Sequence, residues 1–157
     1  MIKVLFICHG NICRSPMAEF VMKDLVDKAG LSDRFLIESA ATSSEEIWRG
    51  VGNPVYPPAR KMLLRHGIDP KDKRARQTTR ADYDKYDYLI GMDRENLRSM
   101  NRIYGGDPVK KLSLLLDYAG REGEEVADPW YTRDFEAAWR DVEAGCAGLL
   151  QHLKEEM

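Results

Sequence analysis

Residues 2–7, IKVLFI, form a nearly unbroken apolar run with β-branched members. Such a run suits a strand covered on both faces, as in a parallel sheet. Pro16 follows where the first turn of a helix tolerates it. Met17, Phe20, Val21, Leu25 and Val26 then recur at three and four spacing as far as Ala29, and Gly30 is a fitting stop. FLIESAA, 35–41, reads as a second strand. Residues 42–58 are polar, rich in Gly and Pro, and read as one long loop with Trp48 in its middle. A helix is expected from Pro57 or Pro58 to His66, closed by Gly67. RARQTTRADYDKY, 74–86, is a basic connection leading into a short helix opened by Thr79. YDYLIGM, 86–92, is a third strand, and Asp93 suits the N-cap of a helix to Ile103. After a GGDP turn, VKKLSL, 109–114, is a short fourth strand. LLLDYA is a small helix or packed chain, and REGEEVADPWYTRD, 121–134, a loop. Phe135, Ala138, Trp139, Val142, Cys146, Leu149, Leu150 and Leu153 make an apolar stripe on a last helix.

Strands alternate with helices from end to end. The pattern predicts a single α/β domain over 1–157, a three-layer sandwich with a small four-stranded parallel sheet and helices on both faces. Ligands of such folds bind beyond the carboxyl ends of strands.

Composition narrows the function classes without choosing among them. A net charge of -2 over 157 residues gives no basic footprint for nucleic acid. No run approaches the roughly 18 apolar residues of a membrane span. MIKVLFIC resembles the start of a signal peptide, but polar residues arrive by His9 and no A-x-A-like cleavage site follows, so a cytoplasmic protein is expected. Three cysteines, none paired as C-x-x-C, and three scattered histidines argue against a disulfide framework and a structural metal site.

Chemistry concentrates where the first strand ends. Cys8 closes the strand, and Arg14 stands six residues later at the start of a helix. Gly10 and Asn11 between them tolerate positive φ. Such a loop can turn successive N–H groups inward as an anion nest, with a helix N-terminus behind it. Arg14 adds a planar fork matched to phosphate oxygens. This environment favours a thiolate at Cys8, aimed at a bound oxyanion. The loop lacks the Gly-Lys-Ser/Thr ending of a nucleotide P-loop.

CHGNICRS, 8–15, is similar to the phosphate-binding loop of the low-molecular-weight protein tyrosine phosphatases. The likeness continues through ESAATS (38–43), Arg65-His66-Gly67-Ile68, ARQTT (75–79), YDYLIGMDRENL (86–97) and DPWY (128–131). It implies a phosphotyrosine hydrolase that works through a phosphocysteine, without metal or organic cofactor. Its partners would be phosphotyrosine-containing proteins and inorganic phosphate or similar oxyanions. Cys8 is then the nucleophile, Arg14 the phosphate clamp, and Asp128 the general acid and later the general base. Residues His9 to Cys13 surround the phosphate, with His9 at the pocket mouth, and Ser15 donates to the Cys8 thiolate. Asn11, Ser39 and His66 match positions that support the loop from behind. Trp130 and Tyr131 flank the substrate ring. Trp48 either supplies another wall or covers the base of the loop. Cys13 either packs beneath the loop or, as the resemblance implies, forms a redox-sensitive disulfide with Cys8. Cys146 belongs to the core.

Three neighbouring functions are distinguished by single features. Arsenate-reducing relatives need further cysteines, and none lies between Cys13 and Cys146. Phosphoarginine-specific relatives carry Thr where this chain has Ile12. A phosphate-binding module without activity has no need of Cys8, Arg14 and Asp128 together.

Overall fold

In the computed structural model, which describes residues 1–157, elements follow in the order β1 (Ile2–Cys8), α1 (Arg14–Lys28), β2 (Phe35–Ala41), β3 (Ile47–Trp48), β4 (Val51–Gly52), α2 (Pro57–Arg65), α3 (Ala81–Lys85), β5 (Tyr88–Gly91), α4 (Arg94–Tyr104), β6 (Leu112–Leu114), α5 (Pro129–Thr132) and α6 (Phe135–Glu155). Short 3-10 turns occupy 32–34 and 115–119. Four strands form one parallel sheet in the order β2-β1-β5-β6. Residues Val4 to Ile7 of β1 are wholly buried, as an interior parallel strand requires.

Alternation along β1 divides the core. Val4, Phe6 and Cys8 face the larger cluster, built with α1, α2 and α6. Leu5 and Ile7 face the smaller one, with Tyr83, Tyr86, Leu89, Met100 and Tyr104. The sheet thus carries helices on both faces, giving the three layers expected. No helix is long and apolar enough to cross a membrane.

Local signals set most boundaries. Asp93 caps α4 through a reciprocal capping box with Asn96, and Gly105 ends that helix at φ 77°. Helix α6 docks closely on the 115–119 turn, because a Cβ on Gly148 would stand 1.9 Å from the Tyr118 carbonyl oxygen.

The structure departs from expectation in four segments. The third strand spans 88–91, not 86–92, because Tyr86 N–H still closes α3 on the Asp82 carbonyl and Met92 N–H turns to Asn96 Oδ1. The fourth spans 112–114, since Lys110 at φ 56° breaks the ladder. The 42–58 loop contains the hairpin β3–β4, turned by two successive left-handed residues, Arg49 (φ 51°) and Gly50 (φ 79°). The 121–134 loop contains α5, started by Pro129 with Asp128 as its N-cap.

Candidate active site

Strand β1 is followed in the sheet by β2 on one side and β5 on the other, so a topological switch point lies at its carboxyl end. Residues 8–15 fill it. Asn11 holds the left-handed backbone at φ 60°. Gly10 does not need positive φ; its missing side chain makes room for Glu46, whose Cγ would lie 3.2 Å from a Cβ there.

Cys8 Sγ receives the Asn11 N–H at 3.3 Å and stands 3.0 Å from Ser15 Oγ. Donor directions follow from the network behind the loop. Arg76 N–H donates to Asn11 Oδ1 at 3.1 Å, which orients the amide. Asn11 Nδ2 donates to Ser15 Oγ (2.8 Å) and Ser39 Oγ (3.0 Å). Ser15 Oγ is therefore occupied as an acceptor and turns its own proton toward Cys8. Ser39 donates onward to buried Glu19 Oε1 at 2.5 Å, and Lys23 and Lys73 gather on the same carboxylate.

Arg14, only 3% exposed, is held from both sides. Its Nη1 donates to Asp93 Oδ2 (2.8 Å) and to the Val126 carbonyl (2.9 Å), and its Nη2 reaches Asp128 Oδ2 at 3.4 Å. Burial alone would lower its pKa; the negative neighbours Cys8, Asp93 and Asp128 outweigh burial and raise it. Burial, then the charges of Cys8 and Asp128, push the Cys13 thiol up, with Arg14 opposing. Cys13 thus stays a protonated thiol within the loop.

A cleft of about 160 Å³ opens above Cys8. Loop residues His9, Gly10, Ile12, Cys13 and Arg14 line it, together with Asp128, Trp130 and Tyr131. Asp128 accepts from the Trp130 N–H through Oδ1, leaving Oδ2 toward Arg14. Trp130 rests on Tyr56, ring centroids 5.0 Å apart, and Tyr131 is 81% exposed. Tyr56 itself donates its N–H to the Ile12 carbonyl, so one residue ties the aromatic rim to the loop.

Two expected residues are placed elsewhere. Trp48 does not line the cleft: it pairs with Val51 across the hairpin, and directly opposed residues share a face, here the solvent face. Arg49 lies over its ring at 5.6 Å. The wall expected of Trp48 comes from Glu45 and Glu46. His66 does not join the network around Asn11. It stacks on Trp139 at 4.2 Å and contacts the Met62 carbonyl through Nδ1, fastening α2 to α6. Lys73 and the Arg76 backbone stand where His66 was expected to help.

Along the chain Asp93 is marked only as a helix cap, and nothing there reveals it as the partner of Arg14. Glu19, Glu45, Glu46, Tyr56 and Lys73 likewise carry no local motif.

The family model for low molecular weight phosphotyrosine protein phosphatase matches residues 3–157. The chain is 39% identical to the low molecular weight protein-tyrosine-phosphatase YfkJ of Bacillus subtilis, over 99% of this chain and 98% of that one. The crystal structure of YfkJ superposes with a TM-score of 0.93. The human low molecular weight phosphotyrosine protein phosphatase is 39% identical over 94% of this chain and 93% of its own. A Drosophila arginine phosphatase has the same fold at 34% identity, TM-score 0.85 and 98% coverage of both chains.

Proposed function

The chain belongs to the low molecular weight phosphotyrosine protein phosphatase family, and we propose that it hydrolyses phosphotyrosine in proteins through a phosphocysteine formed on Cys8. The observation that carries this reading is the convergence of two donors, Asn11 N–H and Ser15 Oγ, on the buried Cys8 sulfur beside the clamped Arg14.

The phosphate enters the nest, and its equatorial oxygens take the loop N–H groups and the Arg14 fork. Arg14 is held at Nη1 by Asp93 and Val126, so its fork is oriented before the substrate arrives. The Cys8 thiolate attacks phosphorus in line as the bond to the phenolic oxygen breaks. Asp128 gives its proton to that oxygen, and tyrosine leaves. Asp128 then takes a proton from water, water attacks phosphorus, and the sulfur–phosphorus bond breaks. Ser15 donates to the departing thiolate, a bond that strengthens as charge returns to sulfur. Inorganic phosphate leaves last. Trp130 and Tyr131 flank the substrate ring, and Ile12 lines the cleft beside it.

The test compares aryl phosphates of different leaving group. Cys8→Ser abolishes turnover and still binds phosphate. Asp128→Ala slows an ester of a poor leaving group roughly 100-fold or more, within the range of general acid catalysis, and an ester of a good one far less. Equal losses on both esters would remove Asp128 as the acid. Phosphotyrosine and phosphoarginine peptides are compared in the same assay, and preference for phosphoarginine would overturn the substrate assignment.

A further inference from the structure

Glu46 lines the cleft and takes no part in the chemistry above. It is half-buried, and its stem lies against Gly10 of the phosphate loop. Its backbone carbonyl accepts from Asn53 N–H at 2.8 Å, and its Oε1 receives only the Asn53 amide, at 3.3 Å. No lysine, arginine or histidine of this chain pairs with it. Its neighbour Glu45 differs: it also lines the cleft, but His9 Nε2 holds it at 3.0 Å. The mouth of a cleft built for an anion therefore carries a carboxylate whose counter-charge is missing.

A peptide entering the cleft strips water from this carboxylate. Without a new partner that desolvation opposes binding. The phosphate itself brings two further negative charges close by. A lysine or arginine side chain next to the phosphotyrosine supplies the partner through a charge-assisted hydrogen bond. An acidic neighbour instead meets like charge. Resting on the phosphotyrosine reading, we propose that Glu46 is a specificity residue selecting phosphotyrosine flanked by a basic side chain. Asn53 holds one carboxylate oxygen in place and leaves the other for the substrate.

The test uses three phosphotyrosine peptides of equal length whose flanking residue is Lys, Gln or Glu. Wild type is expected to prefer Lys over Glu by about fivefold in kcat/KM at low salt, the sum of one exposed attraction and one repulsion. The preference shrinks as salt rises. Glu46→Gln brings the ratio near unity, and Glu46→Lys inverts it. The ratio is taken within each variant, so any partial loss of folding or chemistry cancels. A ratio unchanged in Glu46→Gln, or a preference that survives high salt, overturns the proposal. Peptides turned over without charge preference defeat it alone. Turnover of 4-nitrophenyl phosphate with no peptide turnover defeats the phosphotyrosine reading, and this proposal with it.

Discussion

Asp93 shows how one side chain can serve fold and site together. Oδ1 caps α4 by accepting from Asn96 N–H at 2.7 Å, while Oδ2 holds Arg14. The two roles separate by substitution, because Asn is as good an N-cap as Asp but brings no charge to the guanidinium. Asp93→Asn keeps the cap through Oδ1 but turns an Nδ2 donor toward buried Arg14, so it is expected to lower kcat/KM about 10-fold or more, the worth of a charge-assisted bond, and to lower Tm through the unpaired guanidinium. Asp93→Ala loses a similar amount of activity and about 1 kcal/mol more stability than Asp93→Asn, the worth of the cap. Parallel kinetics and thermal melts read both. Cys13 gives a second residue-scale prediction. We infer that peroxide oxidises Cys8 to a sulfenic acid, on which the Cys13 sulfur closes a disulfide with loss of water. Wild type inactivated by peroxide then recovers with a thiol reductant, whereas Cys13→Ser recovers much less. Equal recovery would leave Cys13 a packing residue only.

The segment 73–77 works at the scale of elements, as a strap between the hairpin and the phosphate loop. Ala75 N–H donates to the Asn53 carbonyl, Arg76 N–H to Asn11 Oδ1, and Ala41 N–H to the Arg76 carbonyl. Gly52 of β4 lies so close that a Cβ there would stand 1.9 Å from the Ala75 carbonyl oxygen. Gly52→Ala must push the strap away. It is expected to destabilise the fold by about 1–3 kcal/mol, the usual cost of forcing extra volume into a packed contact. It also lowers kcat/KM, because the strap orients Asn11 and through it Ser15. Urea unfolding and aryl phosphate kinetics check this; a variant with native midpoint and rate would show that the contact gives freely.

At the scale of the molecule, the site draws on distant parts of one chain. Arg14 is tied to Asp93 and to Val126, 79 and 112 residues away. Binding an oxyanion at this junction stabilises the entire fold by linkage, about 2.7 kcal/mol at 100 times Kd. Tm should rise steadily with inorganic phosphate for wild type and much less for Arg14→Lys, whose point charge lacks the planar fork. An equal rise in both would place the anion elsewhere. Much of this architecture is legible along the chain. Apolar runs mark buried strands, Asp93 and Gly105 bound a helix, and the Cys8 to Arg14 spacing describes an anion nest, because each is a relation among near neighbours. The β3–β4 turn was hidden, since Arg49 is not a residue that favours left-handed backbone. Trp48 and His66 went astray for another reason: a side chain's identity does not say which face it will take or what will stack on it. The partners of Arg14, the network from Glu19 to Cys8 and the unpaired carboxylate of Glu46 were decided only by tertiary structure. They join residues far apart in sequence, and periodicity records that a position is buried without recording against what.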